Sequence, residues 1–155
     1  MFFGLKFIRM EKTMNRYEQG IEKFKEIKGD GAEKSLERLK SLNPDLEKFI
    51  MEFAFNDIYS RPALDTRSRE IATVASLAAM GHIQQLKVHT QSALNVGVTR
   101  EEIIEIILQM AIYAGFPAAI NAMQAVKEVF DELENKKINS NGSGVKLERK
   151  KLASL

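Results

Sequence analysis

Cysteine is absent from the 155 residues, tryptophan is absent, and there are only three prolines, three tyrosines and two histidines. Without cysteine there is no disulfide, no thiolate nucleophile and no thiolate ligand for a metal. The scarcity of proline removes the strongest helix breaker. Met, Ile, Ala and Leu carry the apolar load, which favours helices over strands. No apolar run approaches the roughly 18 residues of a membrane span. The opening MFFGLKFIR is apolar with two cations, but its apolar region is short and no small-residue cleavage site follows. The expected location is therefore the cytoplasm, without membrane association. Met10 and Met14 stand as alternative starts, and residues 1–14 read as an N-terminal extension.

Charge of one sign is also scarce. The net charge is +2, and the segment 136–155 alone sums to +5 (Lys136, Lys137, Lys146, Arg149, Lys150 and Lys151 against Glu148), leaving about −3 for the remainder. A nucleic-acid binder carries its excess on a folded face. Here the excess lies on a basic tail beside NSNGSG, read as flexible and solvated, so no nucleic-acid partner is expected.

What is present is helical periodicity. Tyr17, Ile21, Phe24 and Ile27 form a stripe over 15–29 that GDG breaks at 29–31. Residues 32–42 repeat the pattern weakly. Asn43-Pro44 reads as a cap followed by proline at the first helical position. The helix it opens carries Leu46, Phe49, Ile50, Phe53, Phe55 and Ile58, more than one apolar face, so burial on two sides is expected. Asp65 or Thr66 can cap a helix over 66–80, Gly81 breaks it, and a further helix follows over 83–96 with Gly97 just past its end. Thr99-Arg100-Glu101-Glu102 is a capping box for a helix to about 114. Pro117 can start a last helix over 117–134 with Ile120, Met123, Val126, Val129 and Phe130 inward. These segments make one all-α domain over 15–135. Helices apolar on two sides have little interior to hide in at this length, so the surplus predicts a homo-oligomer.

Both histidines fall in one of these helices. His82, Gln85 and His89 follow i, i+3, i+7 and share a face. The histidines are about 10.5 Å apart along the axis at ~1.5 Å per residue, too far to grip one metal ion, and no metal site is expected. If Gly81 folds the two helices into a hairpin, Glu70 faces His89. A carboxylate beside an imidazole orients the ring, selects its tautomer and makes an acid–base pair suited to neutral pH. Spacing alone leaves the plainer alternative open, a histidine that only hydrogen-bonds at an interface. Tyr113 and Asn121 stand as polar groups in otherwise apolar helices; they suit either a ligand or an interface partner.

The run 67–130 resembles the carboxymuconolactone decarboxylase family. The resemblance rests on R-x-R-E at 67–70, A-A-M-G at 78–81, Q-L-K-V-H at 85–89, A-L-N-x-G-V-T at 93–99 and Y-A-G-F-P-A-A-x-N-A at 113–122. It implies the alkylhydroperoxidase D-like helical bundle and assembly into trimers or hexamers. In that sister group a glutamate precedes C-x-x-C-x-x-x-H; here the glutamate falls on Glu70, the histidine on His89, and the two cysteine positions on His82 and Gln85. Dithiol peroxidase chemistry is thereby excluded, whatever label the wider family carries. The decarboxylase branch often shows Glu-Leu where this chain has Gln85-Leu86, a departure that removes one ionisable group. The implied activity is cofactor-independent decarboxylation of a small anionic lactone of the aromatic-degradation type. In it His89 and Glu70 are catalytic, and Arg67, Arg69, His82, Gln85, Tyr113 and Asn121 contact substrate, with Arg67 or Arg69 on its spare carboxylate. The competing expectations are a non-catalytic oligomeric binding protein of the same fold and another small-molecule lyase or isomerase using the same pair.

Overall fold

The computed structural model describes the backbone of residues 13–152 and the side chains of residues 13–139. Most of the N-terminal extension and most side chains of the basic tail therefore lie outside the described residues. The order of elements is α1 (Arg16–Lys28), a single 3₁₀ turn (Gly29–Gly31), α2 (Ala32–Leu42), α3 (Pro44–Phe49) continuing as a wider helix over Ile50–Tyr59, α4 (Thr66–Met80), α5 (Ile83–Asn95), α6 (Arg100–Ala114) and α7 (Phe116–Leu152). No strand occurs among the described residues.

The helix limits follow from local chemistry. Asn43 accepts a hydrogen bond from Leu46 N with Pro44 in the first turn, Asp65 accepts from Ser68 N at 2.7 Å, and Thr99 and Glu102 complete the reciprocal capping box. Gly81 ends α4 at φ +70, a left-handed conformation that a Cβ would strain. Two limits differ from the sequence reading. Ile50–Tyr59 widens to i→i+5 hydrogen bonding, with Ser60 Oγ donating back to Phe55 O at 2.9 Å. And α7 does not stop at 134 but continues to Leu152. A nucleated helix gains one backbone bond per added residue, so it can run on through a sequence that would not start one.

The chain gathers into two compact units: α1 to Glu26 with Asp30–Arg61, and Ile27–Gly29 with the chain from Pro62 onward. In the first unit Phe24 meets Phe55 edge to face, ring centroids 4.8 Å apart, beside buried Met51, Ala32 and Leu36. Gly20 lets α1 approach the Met51 backbone; a Cβ there would stand 2.6 Å from the Met51 carbonyl carbon. Tyr17 donates its hydroxyl hydrogen to the buried Glu47 at 2.8 Å.

The second unit packs α4–α7 around Val74, Ala78, Leu86, Ala93, Ile103, Ile107, Ala122, Val126 and Phe130. Small residues on α4 and α7 let the helices approach closely. Several expected core positions are exposed instead. Leu46, Phe49, Phe53 and Ile58 face outward on α3 and its continuation, as do Leu108 and Ile112 on α6 and Ile120 on α7. Ile120 was expected inward; on α7 the buried places are taken by Ala119, Ala122, Ala125 and Val126, which set the inward stripe one residue away from it. The two-sided apolar helices thus bury one side within the chain and leave the other uncovered.

Candidate functional site

Gly81 reverses the chain between α4 and α5, and the hairpin brings the two helices alongside each other. Glu70 on α4 and His89 on α5 meet, Oε2 to Nδ1 at 2.9 Å. Glu70 has no exposed surface, while the His89 side chain keeps 20% of its own. A carboxylate oxygen can only accept, so it selects the tautomer with the hydrogen on Nδ1. Nε2 is left to take or give a proton. The other carboxylate oxygen, Glu70 Oε1, is buried with no hydrogen-bond partner among the described residues. Buried unsatisfied oxygens are uncommon away from functional sites.

Two further polar side chains share this region, and neither was singled out from sequence. Ser92, fully buried, stands three residues beyond His89 on α5 and donates to Val88 O at 3.2 Å. Lys28, the last residue of α1, donates from Nζ to Ser92 Oγ at 2.7 Å. Burial pushes the Lys28 amine down to about 8 against an opposing pull from the Glu70 carboxylate. The signal for Ser92 was available, since it extends the His82–Gln85–His89 face by another i+3 step. Lys28 was harder to see: it lies four residues after Phe24, on the apolar side of α1, where a lysine reads as a stem reaching for solvent.

The other expected site residues lie elsewhere. Arg67 pairs with Glu102 and its Nε donates to Gly97 O at 3.3 Å, so its guanidinium joins α4 to the start of α6. The same arrangement, led by the Thr99 amide and followed by Arg67, holds the Glu102 carboxyl below the usual range. Arg69 turns back to Leu64 O at 3.0 Å. His82 caps the start of α5 and is exposed, as is Gln85. Tyr113 is 75% exposed, and Asn121 is exposed in a shallow groove with Ile83, Lys87, Gln124, Ala125 and Glu128. Neither is the buried polar group that its apolar neighbours suggested, because those neighbours, Ile112, Phe116 and Ile120, are themselves on the surface. The wider grooves, one along α4 and α6 and one beside Tyr17 and Glu47, are not lined by His89 or Glu70. No cluster of three or more metal-ligating side chains forms among the described residues, and no described helix is long and apolar enough to cross a membrane.

The family model "Carboxymuconolactone decarboxylase family" matches residues 44–128, which include both Glu70 and His89. A 4-carboxymuconolactone decarboxylase from Acinetobacter baylyi is 40% identical over 119 residues, covering 76% of this chain and 89% of that protein. A nitrosuccinic acid decarboxylase from Metarhizium robertsii is 29% identical over 121 residues, covering 77% of this chain and 85% of that protein. The all-α architecture is the alkylhydroperoxidase D-like one, and the chain belongs to the carboxymuconolactone decarboxylase family.

Proposed function

We propose that this protein is a cofactor-independent carbon–carbon lyase that decarboxylates a small anionic substrate, a carboxylated lactone of the 4-carboxymuconolactone type. The observation that carries the reading is the buried Glu70 carboxylate at 2.9 Å from His89 Nδ1, which leaves the opposite ring nitrogen for chemistry. The relatives named above as decarboxylases support the reaction class. The two substrates in those names share a chemical feature. Each bears a carboxylate on a carbon next to, or conjugated through an alkene with, an electron-accepting group.

In the lactone, the bond to the departing carboxylate breaks and CO₂ leaves. The electron pair spreads through the ring alkene onto the lactone carbonyl oxygen as a dienolate, and a proton then adds to carbon. The acceptor is part of the substrate, so the protein must stabilise an oxyanion and deliver one proton. Protonated His89 supplies a charge-assisted donor from Nε2, either to the oxyanion or as the proton itself. Glu70 holds the ring through Nδ1 and offsets its charge. A second copy of the chain, seated on the exposed apolar surface of α6 and α7, completes the assembly as a trimer or hexamer and covers the open side of His89.

The test is purified protein offered 4-carboxymuconolactone, with loss of the lactone followed by absorbance. Turnover is expected. His89→Ala should lower it by roughly 10²- to 10⁴-fold, the usual worth of a positioned acid–base group, and Glu70→Gln should lower it less. Full turnover in His89→Ala would refute the assigned role. With peroxide and a dithiol no turnover is expected, since the chain has no cysteine.

A further inference from the structure

The three residues Ile27–Gly29 gather with α4–α7 rather than with the rest of α1. Asn95, the last residue of α5, fastens them. Its Nδ2 donates to Lys28 O at 2.9 Å and to Ile27 O at 3.3 Å, two of the carbonyls that a helix end leaves without an internal partner. Its Oδ1 accepts from Gln91 Nε2 at 3.1 Å, which fixes the way the amide faces. Gly29 follows at φ +56, with room for a Cβ only at 3.4 Å from Asn95 Nδ2, so the chain turns away directly after Lys28. The clamp delivers the Lys28 side chain to the α5 face that carries His89, where Nζ rests on buried Ser92 Oγ at 2.7 Å. Asn95 lies in the A-L-N-x-G-V-T motif, and the proposed function leaves it without a task. Lys28 lies outside the span matched by the family model.

We propose that Lys28 is a positioning residue of the Glu70–His89 pair: its ammonium group, delivered by Asn95 and seated on Ser92, is the counter-charge for the fully buried Glu70 carboxylate. Glu70 has no exposed surface and a single described bond, to an imidazole. A buried carboxylate without a compensating cation takes up a proton instead. The charged groups that bear on Lys28 are Glu70 from α4 and, beyond it, His89 from α5. On α1 the neighbours are already engaged, Lys23 with Glu26 at 2.6 Å and Lys25 with Glu33 at 3.0 Å. The amine's downward displacement by burial, opposed by Glu70, agrees with this placement.

The test on the full-length protein is competitive acylation with acetic anhydride across pH, read lysine by lysine by mass spectrometry. Lys28 is expected to titrate near 8, well below exposed lysines such as Lys127, and Glu70→Gln is expected to lower its midpoint further. An ordinary amine midpoint for Lys28, or one that Glu70→Gln leaves in place, overturns the inference. The consequence for turnover rests on the decarboxylase reading. Lys28→Met should lower kcat about tenfold with KM nearly unchanged, and Lys28→Arg should restore most of it. Unchanged kcat in Lys28→Met, or a rise in KM alone, also overturns the positioning role. Absence of turnover in the unaltered protein takes down the decarboxylase reading, and the acylation profile still decides this one. Should Lys28→Met fail to fold, the acylation profiles of the unaltered protein and of Glu70→Gln decide the inference.

Discussion

Burial of Lys28 has a consequence for stability that can be worked through. The amine is pushed down from 10.5 to about 8 by desolvation, with Glu70 pulling the other way and losing. Between those two values the unfolded chain holds a proton that the folded chain has released. Because the unfolded state binds more protons there, the free energy of unfolding rises with pH across this window. A gap of about 2.5 pH units at ~1.4 kcal/mol each amounts to roughly 3 kcal/mol, with a slope no steeper than ~1.4 kcal/mol per pH unit. Below about pH 8 the folded protein carries the full cost of a buried ammonium. Above 10.5 it carries none. The assay is urea unfolding followed by circular dichroism at intervals from pH 7 to 11, for the unaltered chain and for Lys28→Met. Contributions from the other lysines and the tyrosines are common to both and cancel in the difference. That difference should climb by about 3 kcal/mol in favour of the unaltered chain. A flat difference would show that Lys28 is solvated. A falling one would show that its attraction to Glu70 outweighs burial.

Other expectations follow from packing. Gly20→Ala drives a methyl group into the Met51 backbone; because backbone cannot rotate away as a side chain does, the loss should reach about 3 kcal/mol or more in urea unfolding, and a neutral variant would refute the close approach. The exposed apolar surface on α6 and α7 predicts self-association: sedimentation should give a multiple of the 17.5 kDa chain, and Ile112→Lys should shift it toward a smaller species. A monomer at all concentrations would remove the proposed assembly.

The legible part of the site was a matter of short range. His89 and the overlooked Ser92 share a face because a helix repeats every 3.6 residues, and Glu70 comes opposite because Gly81 permits one tight reversal; His82 and Gln85, on the same repeat, are exposed. The contacts made by Arg67 and Arg69 were not legible. A side chain of that length reaches in many directions, and its partners, Glu102 with Gly97 O and Leu64 O, lie on different elements. The exposure of Tyr113 and Asn121 was not legible for a related reason. An apolar neighbourhood in sequence is not a buried one, since Ile112, Phe116 and Ile120 beside them are exposed.

By itself, the amino-acid sequence determined the all-helical class, the starts of α3, α4 and α6 and the break at Gly81. Capping and chain reversal are settled within about four residues and need no distant partner. Tertiary structure alone decided which apolar face is covered, and that Lys28 reaches Ser92, more than sixty residues away, on the α5 face that carries His89. Desolvation and counter-charge depend on what surrounds a group in space, and no local pattern records that.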